Sequence, residues 1–209
     1  MVKELSRQGQ DIVTRETLYR PFPQKESRNA RQERLELPLF VRALGLAGCS
    51  RIIEIGCGAG IALPVLHRLC APDMLIGLDI DGAALASARL RTRGLGKGVT
   101  LIQGDVRRLP FPDAHFDAVV DFGTCYHISG VERAIAEIER VLEPTGVFAT
   151  ETKLSQLLSH PVRSHGRELR LPAGSMLRVQ RHRALWVSFE KTPRAPVAGA
   201  ESADSKPGS

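Results

Sequence analysis

The residues best placed to do chemistry are three glycines at alternate positions, Gly56, Gly58 and Gly60, two acids that close apolar runs, Asp79 and Asp105, and the tetrad Thr124-Cys125-Tyr126-His127. Glycines so spaced let the backbone turn tightly and leave peptide planes bare of Cβ atoms, so a flat polar ligand can lie almost against the main chain. Asp79 closes Leu75-Ile76-Gly77-Leu78 one βαβ unit later, where a carboxylate can accept both hydroxyls of a ribose. Asp105, after Gly104 at the end of the run Val99 to Gln103, stands where an adenine amino group can be bound. The third position after Gly58 is Ile61, so the glycines read GxGxG rather than the GxGxxG of a dinucleotide site. No Lys-Ser/Thr pair follows to build a phosphate loop. The set fits a nucleoside without phosphates.

The tetrad follows a predicted strand, Phe116 to Phe122, and so lies where open α/β sheets bind their ligands. If a general base is used, His127, with Tyr126 beside it, is the candidate catalytic group in this segment. A loop histidine that caps the next helix or packs beside the ligand is the competing reading. Asp117, near the opening of that strand, is read as structural.

These groups need strands and helices in alternation to bring them together. After the run Ile52-Ile53, strands are expected at Leu75–Asp79, Val99–Gln103, Phe116–Phe122 and Val147–Glu151, with helices over Ile61–Cys70, Ala83–Arg93 and Val131–Leu142. Such alternation makes a mainly parallel sheet. Ser175–Arg181 and Ala184–Glu190 read as a terminal hairpin. Upstream, Ser27 is expected to cap a helix over Arg28–Leu46, kinked by Pro38, with Leu35, Leu39, Val41 and Leu44 on its apolar face. The residues from Thr192 to Ser209 are rich in Pro, Ala, Gly and Ser without apolar period and are expected to be disordered.

Four ordered segments, EIGCGAG (54–60), GLDID (77–81), GDVRRLPFPDAHFDAVVDFGTCYH (104–127) and RVLEPTG (140–146), resemble the class I S-adenosylmethionine-dependent methyltransferases, in particular their type 11, small-molecule branch. The likeness runs from about Leu35 to Val147. It implies an α/β fold with a Rossmann-like seven-stranded methyltransferase sheet, mostly parallel with an antiparallel C-terminal hairpin and helices on both faces. It also implies S-adenosyl-L-methionine as cofactor. Glu54, Gly56, Cys57, Gly58 and Gly60 would then hold its methionine part and ribose, Asp79 and Ile80 the ribose and one adenine face, and Asp105 and Val106 the adenine edge. Asp121, Phe122 and Gly123 would line the methionine moiety near the sulfonium. Pro144-Thr145-Gly146 departs from the family's usual Pro-Gly-Gly, which bears on turn geometry more than on cofactor binding.

Bulk properties suit one enzyme domain. With 209 residues, 43% hydrophobic and 25% charged, the chain accommodates one sizeable core and not two. The expected division is an N-terminal lid or substrate-side segment (1–34), a cofactor-binding domain (35–191) and a tail (192–209). No apolar stretch is long enough for a membrane span and the first residues lack a secretory core, so a cytoplasmic location is expected. Cys49, Cys57, Cys70 and Cys125 are scattered without ligand spacing, and no metal site is expected.

The net charge of +6 gathers partly in 160–183, with six arginines and three histidines against Glu168. That region suits an anionic small-molecule acceptor or, as the alternative, a nucleic-acid backbone; a solvated basic edge is the plainer reading. Tyr19-Arg20-Pro21-Phe22-Pro23 is read as a lid or an inert strap. Nucleic-acid methylation is the runner-up among activities, although Phe122-Gly123-Thr124-Cys125 replaces the Asn/Asp-Pro-Pro-Tyr/Phe motif of amino-directed enzymes. A catalytically silent cofactor-binding protein is the other alternative.

Overall fold

The computed structural model describes residues 25–159 and 169–192. The expected lid at 19–23, the N-terminal part of the basic region (160–168) and the tail from 193 lie outside the described residues.

Seven strands form one sheet in the order β3-β2-β1-β4-β5-β7-β6. They are β1 (Arg51–Ile55), β2 (Met74–Asp79), β3 (Val99–Gln103), β4 (Phe116–Asp121), β5 (Leu142–Glu151), β6 (Leu177–His182) and β7 (Trp186–Lys191). The first five pair in parallel, and β7 runs antiparallel to β5 and to β6. The order reverses between β1 and β4, so their carboxyl ends open the crevice in which α/β sheets bind ligands. Side chains alternate across the pleat. Ile52, Leu75, Ala118 and Val120 pack under the helices at 37–44, 63–70 and 82–92 on one face, and Ile53, Ile55, Val119 and Phe148 meet Ile135, Ile138 and Val141 on the other. The α-helices are α1 (Lys25–Arg31), α2 (Leu37–Leu44), α3 (Leu63–Cys70), α4 (Gly82–Thr92), α5 (Val131–Val141) and α6 (Lys153–Ser159).

Several expectations are corrected. The segment from 25 to 44 is not one α-helix: a π-helical turn, Gln32–Glu36, just before Pro38 joins α1 to α2, with the Leu37 amide donating to the Gln32 carbonyl. The widened turn ends just where proline lacks a donor, and its extra residue rotates the apolar face. Leu37, Phe40, Val41 and Leu44 are buried, whereas Leu35 and Leu39 are 60% and 52% exposed. Ser27 lies within α1 rather than at its start.

The fifth strand begins at Leu142, not Val147. Leu142 pairs with Phe116, and the register then shifts before Ala118 pairs with Val147. The intervening Pro144-Thr145-Gly146 loops out, and Thr145 takes a left-handed conformation (φ 69°) that a β-branched residue rarely adopts. The hairpin strands are Leu177–His182 and Trp186–Lys191, each one to two residues later than expected. At the amino end of the sheet the Asp117 carboxylate accepts the Ser50 and Arg51 amides, which fits its structural reading.

Candidate active site

The three glycines meet three different demands. All have positive φ. A Cβ on Gly56 would fall 1.8 Å from Thr124 Oγ1, so this glycine makes room for a protein side chain. That hydroxyl donates to the Ile55 carbonyl at 3.2 Å and ties the loop after β4 to the end of β1. A Cβ on Gly60 would meet Ala88 of α4 at 2.9 Å, so Gly60 serves helix packing. A Cβ on Gly58 would meet nothing within 4 Å; its open face is the one available to a ligand.

Asp79 steadies this turn. Its Oδ2 accepts the Gly58 amide at 2.7 Å and its Oδ1 the Asp81 amide at 2.8 Å. Burial raises its pKa while those bonds oppose the rise. Asp81 caps α4 by accepting the Ala83 amide, which fixes Ile80 between two anchored acids. Glu54, on β1, is 4% exposed, and its Oε2 has no hydrogen-bond partner. Burial, then the charges of Asp79 and Asp121, push its pKa well up. A cation arriving beside Glu54 relieves all three acids at once. Cys57 is buried between them, its thiol pushed up by burial.

Asp105 is already engaged. Although burial favours its neutral form, bonds from the Arg107 guanidinium and amide hold its pKa below the ordinary range. Arg107 also donates to the Ser129 carbonyl, linking the loop after β3 to the segment before α5. Val106 points into the core.

Asp121 is fully buried and organises the loop that follows it. Its Oδ1 accepts the Gly123 and Thr124 amides at 3.2 and 2.6 Å, and its Oδ2 the Cys125 amide and the Thr150 hydroxyl at 3.2 and 3.0 Å. With four donors on one carboxylate, its contribution is to fix where Phe122 and Gly123 present their backbone. The Phe122 ring meets Phe40 of α2 edge-on, centroids 5.3 Å apart.

Beside this loop, at the carboxyl ends of β4 and β5, lies a cavity of about 420 Å³. Asp121, Tyr126 and Glu151 form its polar wall, and Ile128, Val131 and Leu169 its apolar one. Lys153 and Arg170 supply two cations. Tyr126 therefore faces the cavity. Burial and then Glu151 raise the pKa of its phenol, which stays a neutral donor at physiological pH. His127 packs on the Tyr126 ring with centroids 4.2 Å apart and is not among the lining residues.

Glu151 is the residue that sequence reasoning missed. It is 4% exposed, and its Oε1 accepts the Ser155 hydroxyl at 2.5 Å. A Cβ on Gly123 would sit 3.2 Å from the Tyr126 hydroxyl and 3.4 Å from Glu151 Oε2, so both groups converge on the backbone of that loop. The rule that singled out Asp79 and Asp105, an acid ending a strand, applies equally to the run Val147–Glu151. Among the described residues, the arginines of the basic region do not converge: Arg170 lines the cavity, Arg181 lies over Gly45, and Arg178 and Arg183 bond backbone carbonyls.

The residues present fit an adenosyl cofactor: Gly58 offers an open backbone cradle and Glu54 an unsatisfied buried oxygen suited to a cation.

A family model described as a methyltransferase domain matches residues 53–150. A fatty-acid O-methyltransferase of Mycolicibacterium smegmatis is 35% identical over 98 residues, 47% of this chain and 35% of its own length. The chain thus spans about a third of the length of the curated relatives it matches. Among solved structures, the (4+2)-cyclase SpnF is 33% identical with a TM-score of 0.51, covering 57% of this chain and 44% of its own. An S-adenosylmethionine-dependent methyltransferase from Aquifex aeolicus shares the fold at a TM-score of 0.61 and 20% identity, covering 78% and 93% of the two chains. Over residues 53–150, with the glycine turn and the strand-ending acids at the carboxyl ends of a sheet of this order, the chain is similar to the class I S-adenosylmethionine-dependent methyltransferases.

Proposed function

We propose that this protein transfers a methyl group from S-adenosylmethionine to oxygen, nitrogen or carbon of a small-molecule acceptor held in the cavity beside β4 and β5. The observation that carries this reading is the shared wall. The segment Asp121–Tyr126 borders the acid-lined glycine turn through Thr124 and Glu54's neighbour Asp121, and borders the cavity through Asp121 and Tyr126. The cofactor, when bound, supplies an already activated methyl group. What the chain adds is alignment and exclusion of water, which together contribute on the order of 7–11 kcal/mol.

Gly58 and Asp79 would hold the ribose side, Glu54 the cationic methionine end, and Ile80 with Asp105 and Val106 the adenine. Gly56, Cys57 and Gly60 shape the turn, and Asp121 sets Phe122 and Gly123 along the methionine part. Tyr126 would orient the acceptor by donating a hydrogen bond, with His127 fixing its ring. The fatty-acid relative supports an acceptor with an apolar body, matching Ile128, Val131 and Leu169; Lys153 and Arg170 suit an anionic group on it. The divergent placement of the four described arginines of that region favours a small molecule over a nucleic-acid strand.

The test is an acceptor panel scored by formation of S-adenosylhomocysteine. His127→Ala, which frees the Tyr126 ring, should lower turnover about tenfold or more with cofactor affinity unchanged; unaltered turnover removes that positioning role. A second reading, a cofactor-binding protein without transferase activity, is favoured by the neighbour named as a cyclase, and cofactor binding with no turnover across the panel would support it.

A further inference from the structure

We propose that Glu151 is the proton acceptor for an acceptor molecule bearing an O–H or N–H group, bound in the cavity with that group against Glu151 Oε2. The inference rests on the methyltransferase reading and names the acceptor chemistry and the base that reading leaves open.

Four observations support it. Glu151 ends β5 on the polar wall of the cavity, among the lining residues, yet is only 4% exposed, so it is held out of bulk water. The carboxyl is oriented, because Ser155 Oγ, from the adjoining α6, grips Oε1 at 2.5 Å. Oε2 lies against Gly123, in the loop expected to carry the methionine end, and so stands at the join between the cofactor strip and the cavity. The groups facing it are Asp121 on β4, Tyr126 on the following loop, Arg28 on α1 and Glu36 in the π-helical turn, while Lys153, Glu132 and Arg170 line the same cavity. Burial first, and then Asp121, push the carboxyl up to about 7, against the lowering effect of Ser155 and Arg28. A base poised near neutrality is the most effective one at physiological pH.

The step balances without a further reagent. The acceptor's lone pair forms the new bond to carbon, the electron pair of the carbon–sulfur bond remains on sulfur, and the acceptor's proton passes to the Glu151 carboxylate. Sulfonium becomes neutral thioether, carboxylate becomes carboxylic acid, and the proton leaves to water before the next turnover. An acceptor that arrives as a preformed carboxylate has no proton to give.

Two measurements on the full chain test this. Carbon-13 NMR of protein labelled at the glutamate carboxyl carbon, compared with Glu151→Gln to assign the resonance, should show Glu151 titrating near neutrality, with Ser155→Ala moving the midpoint upward. A midpoint in the ordinary carboxylate range overturns the proposal. In the presence of S-adenosylmethionine, skeleton-matched probes, 1-decanol, decylamine and decanoate, are then compared. The alcohol or the amine should react with a rate that rises through about pH 7, and Glu151→Gln should lower that rate about 10²-fold or more at unchanged affinity for S-adenosylhomocysteine. Transfer to decanoate alone, or wild-type rates in Glu151→Gln, overturns it. If no probe reacts, the NMR midpoint decides. Failure to bind either adenosyl compound would remove the methyltransferase reading while leaving the titration of Glu151 as measured.

Discussion

Replacing Glu151 with Gln should make the protein more stable at alkaline pH, and by an amount the structure sets. The side chain is almost wholly buried and its carboxyl is raised from an ordinary 4.5 to about 7. A carboxyl raised in the fold binds its proton more tightly folded than unfolded. Its neutral form is therefore fully compatible with the fold below about 4.5, and stability falls as pH climbs through the interval to about 7. At about 1.4 kcal/mol for each pH unit the loss is about 3 kcal/mol. Glutamine keeps the volume and an oxygen to accept from Ser155, but it has no proton to lose. Glu54, Asp79 and Asp121 are also raised, yet they titrate in both proteins, so the difference between the two pH profiles reports Glu151 together with its coupling to Asp121. Urea unfolding at about pH 5 and about pH 8.5 is the assay. The variant should gain about 3 kcal/mol over the native chain at the higher pH and little at the lower. A difference that does not change with pH, or one that changes in the opposite sense, would show that the Glu151 charge is compensated in the fold.

The glycine turn offers a contrast between neighbours. Gly56→Ala combines a left-handed strain of about 1–2 kcal/mol with a clash against Thr124 and should destabilise by about 3 kcal/mol or more, part of it recovered when Thr124→Gly is added, as chemical denaturation of the double-mutant cycle will read. Gly58→Ala meets no atom and should cost only the strain, about 1–2 kcal/mol, while weakening cofactor binding about tenfold or more by occupying the cradle; affinity equal to the native chain in calorimetry would deny the cradle its role. Thr145→Gly should raise stability by about 1 kcal/mol by removing the left-handed strain of a β-branched residue, less the entropy that glycine adds to the unfolded chain; a drop in the urea midpoint would contradict that reading of the bulge.

Much of this arrangement was legible in the residues themselves. Continuous apolar runs such as Leu75 to Leu78 mark strands buried on both faces, and the acids that end them mark the ligand edge. The helix α5 was fixed by Ile135, Ile138 and Val141 at helical spacing, and all three are fully buried. What escaped was set by contacts distant in sequence. The π-helical turn before Pro38 changes which leucines face inward, and no local pattern distinguishes it from a kink. The division of labour among Gly56, Gly58 and Gly60 depends on Thr124 and Ala88, which lie 68 and 28 residues away. Glu151 carries no motif, and its significance comes from Ser155, Gly123 and the cavity wall. The same holds for the second task of Asp121, which with four donors in hand braces the loop after β4.

The claim on which the account depends is that the carboxyl ends of β1, β2 and β4 form a seat for an adenosyl compound. Titration calorimetry of the full chain with S-adenosylhomocysteine, S-adenosylmethionine and NAD measures it directly. One saturable site for each adenosyl compound and none for NAD is the predicted result. Silence toward both adenosyl compounds, or heat from NAD alone, would contradict it.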